Sequence, residues 1–243
     1  MIDIHCHILP DIDDGASRME ESLEMARMAA ASGVTDIVAT PHFRGEADYL
    51  EMKPEIARRY QELSDVLQRY AVPVRLHSGA EILCLNQTPE LAAMHQLPTI
   101  AGTNYVLTEF YFDEDFGYMD RILAGIAAHG YRPVVAHPER YGCIQHDPVL
   151  TDRWCHRGYV LQINKGSILG SLGQGAEETA HALLELGNAH LFASDGHSSY
   201  ARTPHMGELV RWMERFCDPE SAEVFLRGNP QQVIQGKPMI ILD

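Results

Sequence analysis

The stretch IDIHCHILPDIDDG (residues 2–15) decides how the rest of the chain is read. From Ile2 to Ile8 apolar and polar residues alternate, the period of a β-strand. Residues two apart on a strand share a face, so His5 and His7 stand side by side. The strand then runs into Asp13 and Asp14. A short strand that ends in imidazoles and carboxylates suits a parallel α/β protein, in which chemistry collects at the carboxyl ends of the strands.

The same plan recurs along the chain. SRMEESLEMARMAAA (17–31) has helical periodicity, with Ser17 expected as N-cap, Glu20 and Glu21 favouring the first turn and Gly33 as a stop. VTDIVAT (34–40), VRLHSGAEI (74–82), NYVLTEF (104–110), RPVVAHP (132–138), YVLQIN (159–164) and AHLFASD (189–195) read as further strands. Helical stretches are expected near 48–70, 117–129, 148–157, 175–187, 205–216 and 219–227. Seven strands alternating with helices predict a parallel sheet with crossover helices. A distorted TIM-like (β/α)7 barrel, one domain over residues 1–243, is the expected fold. An open doubly wound sheet is the alternative, but the first strand is not followed by a glycine-rich phosphate loop.

Composition narrows the function. The 243 residues are 45% hydrophobic and 22% charged, as in a soluble globular protein. A net charge of −15 argues against non-specific binding to nucleic acid or anionic lipid. No run of about 18 apolar residues suggests membrane insertion, and no basic-then-apolar leader opens the chain. Five cysteines without close-paired spacing argue against a disulfide framework, so a reducing, cytoplasmic setting is expected.

Six of the seven strand ends carry a potential metal ligand. They supply His5, His7 and Asp14; His42; Glu81; Glu109; His137; and Asp195 with His197. The sixth strand ends in Gln162 and Asn164 instead. A lone histidine at a strand end is usually structural, and His77, His95, His129, His146, His156, His181 and His190 are read as structural or surface groups. Nine candidates exceed what one ion takes, and fit two or three ions with a carboxylate such as Glu81 or Asp195 bridging. Imidazole and carboxylate without thiolate suit manganese, iron or zinc.

HCHILPDIDDG (5–15), TPHF (40–43), GAEI (79–82), AHPER (136–140), QIN (162–164) and ASDGH (193–197), in this order, resemble the PHP (polymerase and histidinol phosphatase) superfamily. They are most similar to its CpsB/YwqE branch of bacterial manganese-dependent tyrosine-protein phosphatases. The resemblance runs from Asp3 to about Pro204 and implies a distorted seven-stranded barrel with three metals. His5, His7, Glu81 and Asp195 would bind one ion; Glu81 would bridge to a second, held also by Glu109 and His137; Asp14, His42 and His197 would hold the third. Arg140 and Arg202 match the family's arginines and are the candidate phosphate-binding residues. Asp11, Lys165, Gly196 and Ser198 depart from the family pattern. Asp11 and Lys165 are expected near the mouth, where they could alter substrate preference.

Cysteine-dependent tyrosine phosphatases need an arginine six residues after the nucleophile. The residues found there are Ile12, Glu90, Val149, Leu161 and Glu223, which argues against that route, and Cys6 is expected to face away from His5 and His7. Divalent ions lower the pKa of bound water from about 15.7 towards about 7, which removes the need for a protein nucleophile. A phenolate leaving group has a conjugate-acid pKa near 10, so a general acid is dispensable; Asp14 or His197 could serve if one is needed. The resemblance implies a phosphotyrosine protein as substrate, with a cognate bacterial tyrosine kinase controlling capsule or exopolysaccharide synthesis as partner. A small-molecule phosphatase, such as one for histidinol phosphate, and a metal-binding regulatory module are the competing readings. Tyr111, Phe112, Phe116 and Tyr118 are expected to pack their loop rather than stack on a substrate ring.

Overall fold

The computed structural model of the chain describes residues 1–242, with the side chains of 46–50 outside that description. Among the described residues nine strands form: β1 (Ile2–Cys6), β2 (Asp36–Ala39), β3 (His42–Phe43), β4 (Arg75–Ser78), β5 (Glu81–Leu83), β6 (Tyr105–Glu109), β7 (Arg132–Ala136), β8 (Val160–Asn164) and β9 (Leu191–Ala193). Every paired neighbour is parallel. The α-helices are α1 (Met19–Ala31), α2 (Glu46–Arg69), α3 (Thr88–Ala93), α4 (Phe116–Ala127), α5 (Gly142–His146), α6 (Asp152–His156), α7 (Lys165–Ile168), α8 (Gln174–Glu185), α9 (Gly207–Phe216), α10 (Pro219–Glu223) and α11 (Asn229–Gln235).

The pairing gives two sheets, β1-β2-β4 and β3-β5-β6-β7-β8-β9, where one ring of seven strands was expected. Two of the expected strands are each broken in the middle. Thr40–Pro41 separates β2 from β3, and proline has no N–H to give to a ladder. Gly79–Ala80 separates β4 from β5, and a Cβ on Gly79 would lie 2.7 Å from Val38 Cγ1. The chain is continuous through both breaks, so the two sheets share these strands end to end. At the other side β1 meets β9: Asp195 N–H donates to His5 O (2.9 Å) and His7 N–H to Gly196 O (2.8 Å). The buried Asp3 carboxylate fastens the same seam by accepting from Ser194 N–H (3.0 Å) and Ser194 Oγ (2.5 Å).

Two apolar clusters follow from the strand period. One lies between strands and helices and includes Met25 and Ala29 of α1, Leu63 of α2, Ile122 of α4 and Leu183 of α8. The other collects Ile2, Ile4, Val38, Leu107, Val134, Val160 and Leu191, with Ile100 and Val233 of α11 beside them. Each fully buried Leu or Ile contributes about 1.5–3 kcal/mol, so this second cluster is a firm floor beneath the strand ends.

The alternation of β1 is reversed part-way along. Asp3 pairs with Ile37 and Cys6 with Ala39, so three steps on β1 match two on β2: a β-bulge. Before it Ile2 and Ile4 face the inner cluster; after it Cys6 and Ile8 face the helices, as expected for Cys6. The bulge therefore turns His5 and His7 inward above Ile4.

Local expectations also shift. Arg18, not Ser17, is the N-cap of α1; Ser17 instead donates its N–H (3.0 Å) and hydroxyl (2.7 Å) to Glu21. α3, opened by Pro89 in its first turn, and α11 were not foreseen.

Candidate metal centre

Four side chains from three strands meet above the inner cluster. His5 Nε2 and His7 Nε2 stand 3.2 Å apart. Glu81 Oε2 lies 3.3 and 3.2 Å from them, and Asp195 Oδ1 3.4 and 3.6 Å. Four ligands placed tetrahedrally at 2.0–2.2 Å from one ion are separated by about 3.3–3.6 Å. The two imidazole nitrogens lie close to that spacing from each other and from each carboxylate oxygen, and all four side chains are buried. The donor set fits a divalent first-row ion.

Glu81 uses its second oxygen elsewhere, with Oε1 2.9 Å from His137 Nε2. His42 stands between groups: Nδ1 is 3.0 Å from Glu109 Oε1 and 3.3 Å from Glu81 Oε2, while Nε2 is 3.2 Å from Asp14 Oδ1. His197 Nε2 is 3.6 Å from the same Asp14 oxygen, and its ring lies 4.0 Å from that of His7. All nine candidate ligands thus fall in one network. Its subsets suited to an ion are His5 with His7 and Glu81; His42 with Glu81 and Glu109; and His7 with Asp14, His42 and His197. The structure gives His42 to two of these subsets, not one.

Charge in the network is balanced by its imidazoles. Burial opposes a charge on His5, but Glu81 and Asp195 outweigh it and raise its pKa to about 9. Burial likewise opposes ionised Glu81, yet His5, His137 and His7 hold its carboxyl well below the usual range. Asp195 is held low against burial by His5 and Arg202. His197 goes the other way: burial and the His7 charge push it down to about 4. The centre is built to hold positive charge, as protons or as metal ions that displace them.

The network opens into a cavity of about 410 Å³, whose wall includes Arg44, Arg140, Arg202, Tyr111 and Phe112. Arg202 Nη2 contacts Asp195 Oδ2, and Arg140 Nη1 lies 3.7 Å from the same oxygen. Both guanidinium groups are thereby kept at the buried cluster. Three residues here have left-handed backbones that disfavour side chains: His137 (φ 36°), Asp195 (φ 49°) and Arg202 (φ 48°). Such strain is held only where surroundings over-determine it, as at functional sites.

Residues 1–235 match the family described as capsular polysaccharide synthesis, CpsB/CapC. The chain belongs to the CpsB/CapC family. It is 34% identical over 236 residues to the tyrosine-protein phosphatase YwqE of Bacillus subtilis (strain 168), covering 94% of this chain and 92% of that protein. It is 28% identical over 239 residues to the tyrosine-protein phosphatase CpsB of Streptococcus pneumoniae, covering 96% and 98%. A chain from the crystal structures of YwqE and CpsB, described as unique metal-dependent tyrosine phosphatases, superposes with a TM-score of 0.87 at 30% identity. That alignment covers 100% of this chain and 97% of the other. The lactonase Lmo2620 of Listeria monocytogenes shares the fold alone, with a TM-score of 0.54 at 12% identity.

Several CpsB/CapC motif residues act one step behind the ligands. Gln162 Oε1 is 2.8 Å from His5 Nδ1, and Asp13 Oδ2 2.8 Å from His7 Nδ1. Each acceptor takes the Nδ1 proton, leaving Nε2 free to bind a metal. Asp13, held to about 2 against burial mainly by His7, also accepts from His42 N–H. Asn164 donates to Asp195 Oδ2 (2.5 Å), and its own N–H donates to the buried Glu139 carboxylate (2.9 Å). So β8 supplies no candidate ligand but holds two of them in place. A search for acids and imidazoles passes over amides, although their place on the inner face of β8 was a usable signal. Gly15 of the DDG triplet is required by close approach, because a Cβ there would lie 2.1 Å from His7 O.

Other expectations have mixed outcomes. Asp11 is exposed, pairs with Arg59 (3.0 Å) and has φ 57°, a conformation that Asp tolerates better than most residues. Lys165 is not at the mouth: it is 9% exposed and its ammonium donates to Thr203 O and His205 O (3.1 Å). Of the four aromatics, Phe116 packs on Trp154 with ring centres 5.0 Å apart. Phe112 stays 47% exposed at the cavity, with the Arg140 guanidinium 4.3 Å from its ring centre. Of the histidines read as structural, His77 pairs with Asp36 (2.8 Å), and His190 Nδ1 accepts from Leu161 N–H (3.1 Å).

Proposed function

We propose that this chain is a metal-dependent protein-tyrosine phosphatase. The observation that carries the reading is the set of nine imidazoles and carboxylates converging at the floor of a cavity whose wall includes Arg140 and Arg202, both beside Asp195. His5, His7, Glu81 and Asp195 would hold one ion; Glu81, Glu109 and His137 a second; and Asp14, His42 and His197 a third, with manganese the expected metal. When bound, the ions supply Lewis acidity, lowering the pKa of water and offsetting phosphoryl charge.

The chain's own groups do the rest. Arg140 and Arg202 present guanidinium forks that can donate to two phosphoryl oxygens each. Asp195 keeps both turned to the same point and offsets their charge before substrate arrives. The tyrosyl oxygen departs as a phenolate with a conjugate-acid pKa near 10, so little proton donation is needed. Phe112 and Tyr111 give the cavity an apolar rim.

Within this reading the two sheets act as one distorted seven-stranded barrel, joined through the β1–β9 seam, and the chain is one domain. No helix among the described residues is long and apolar enough to cross a membrane. In this reading the enzyme is cytoplasmic and acts on a tyrosine kinase of capsule or exopolysaccharide synthesis; the family's description supports the link to capsule and the relatives' names support phosphotyrosine as the target.

Metal-stripped protein reloaded with manganese would be offered a phosphotyrosine peptide, a phosphoserine peptide and histidinol phosphate, with His7→Ala in parallel. Manganese-dependent release from phosphotyrosine alone, lost in the variant, is expected. Preference for histidinol phosphate would move the substrate, and tight metal binding without turnover would refute the enzyme.

A further inference from the structure

Lys165 is a buried cation outside the ligand network. It begins α7 directly after β8, and its stem runs beneath the segment that carries His197 and Arg202. That segment is a closed turn. His197 N–H donates to Arg202 O (2.8 Å), and Ser198 Oγ both donates to Ala201 O (2.5 Å) and accepts from Ala201 N–H (2.9 Å). These bonds fix the shape of the turn, not its tilt over the cavity. Tilt depends on the two stalks and on a longer tie from Ser199 N–H to Glu21 Oε1 (3.4 Å). The first is tied to β1 through Asp195 and Gly196. The second is Thr203-Pro204-His205, whose flanking carbonyls both accept from the Lys165 ammonium.

We infer that Lys165 is a positioning residue for phosphate recognition: its ammonium anchors the second stalk and so sets where the Arg202 guanidinium stands. This rests on the proposed role of Arg202 in binding the phosphoryl group. Burying an ammonium costs stability unless it is bonded and its charge is balanced. Here two carbonyls bond it and the buried Asp3 and Asp195 carboxylates lie near enough to favour its charge, although burial still lowers its pKa. Arg202 also has a left-handed backbone, a conformation that relaxes when its surroundings loosen.

The test is a double-mutant cycle on manganese-loaded protein, read by calorimetric binding of inorganic phosphate and by KM and kcat on a phosphotyrosine peptide. Lys165→Met keeps the stem and removes the donors. It is expected to raise the phosphate Kd and the peptide KM about tenfold, with kcat changed less and manganese affinity unchanged. In an Arg202→Ala background the same substitution should change phosphate Kd by less than about twofold, because the group it positions is gone. Should the Met variant not fold, Lys165→Leu, which also removes the donors, enters the same cycle. Equal effects in both backgrounds, or an unchanged phosphate Kd with either variant, overturn the inference. Wild-type protein that binds phosphate with this coupling but hydrolyses no phosphomonoester would refute the phosphatase reading and leave the positioning role standing.

Discussion

Replacing Gln162 by leucine separates metal affinity from fold stability. The Gln162 amide oxygen lies 2.8 Å from His5 Nδ1, and neither residue has exposed surface. Leucine fills much the same space and removes the acceptor. His5 must then either bury an unpaired Nδ1–H or carry its proton on Nε2, where a metal would bind. Loss of such an orienting acceptor lowers metal affinity about 10–100-fold, which corresponds to about 1.4–2.7 kcal/mol. The metal-free protein should change far less. Gln162 Nε2 has no partner in the wild-type structure, so leucine removes one unsatisfied buried donor while creating another. Manganese affinity would be measured by calorimetry or chelator competition, and metal-free stability by urea unfolding. A manganese Kd within twofold of wild type, with the urea midpoint lowered instead, would refute the assignment of Gln162 as the partner that directs His5.

Three further outcomes are expected. Gly15→Ala should destabilise the protein by about 1–3 kcal/mol, the usual range for overpacking, and lower manganese affinity as well, since its Cβ would meet His7 O at 2.1 Å; unchanged unfolding and binding would contradict the close approach. Tyr141→Phe should cost about 1–3 kcal/mol, because the buried hydroxyl accepts from Phe110 N–H (3.2 Å) and donates to Ala136 O (3.0 Å); chemical denaturation reads it. Burial lowers the pKa of His190 below 6.5, so the unfolded chain binds the proton more readily. Its contribution to stability is full above the unfolded value and falls as pH drops through it, and His190→Gln should flatten the stability-versus-pH slope between about pH 5 and about pH 7 relative to wild type; an identical slope would show that His190 does not titrate differently on folding.

What the sequence discloses here follows from which signals are local. Alternating residues such as Ile2 to Ile8 and the β-branched run before His137 mark strands directly. Ligands at their ends stand out because acids and imidazoles are unusual in such company. The breaks at Pro41 and Gly79 were visible as residues, but their effect depends on a neighbouring strand that periodicity does not show. The bulge in β1 is of the same kind: nothing in IDIHC announces that three residues will face two. Lys165 looks like a surface residue until the carbonyls of Thr203 and His205 are placed above it. Gln162 and Asn164 read as ordinary strand polars until the imidazole and carboxylate they orient are known.

The seam between β1 and β9 joins residues 190 positions apart, as at Cys6 and Gly196. On the ribosome this sets an order of events. His5 and His7 emerge first, yet Asp195 and the strand that locks onto β1 emerge only when most of the chain has been made. Until then the nascent chain carries a row of apolar, β-branched strands with an unpaired leading edge, the condition most exposed to aggregation. The His5–His7–Glu81–Asp195 set is therefore completed only near the end of synthesis, and any factor that shields the growing chain acts before that set can hold an ion.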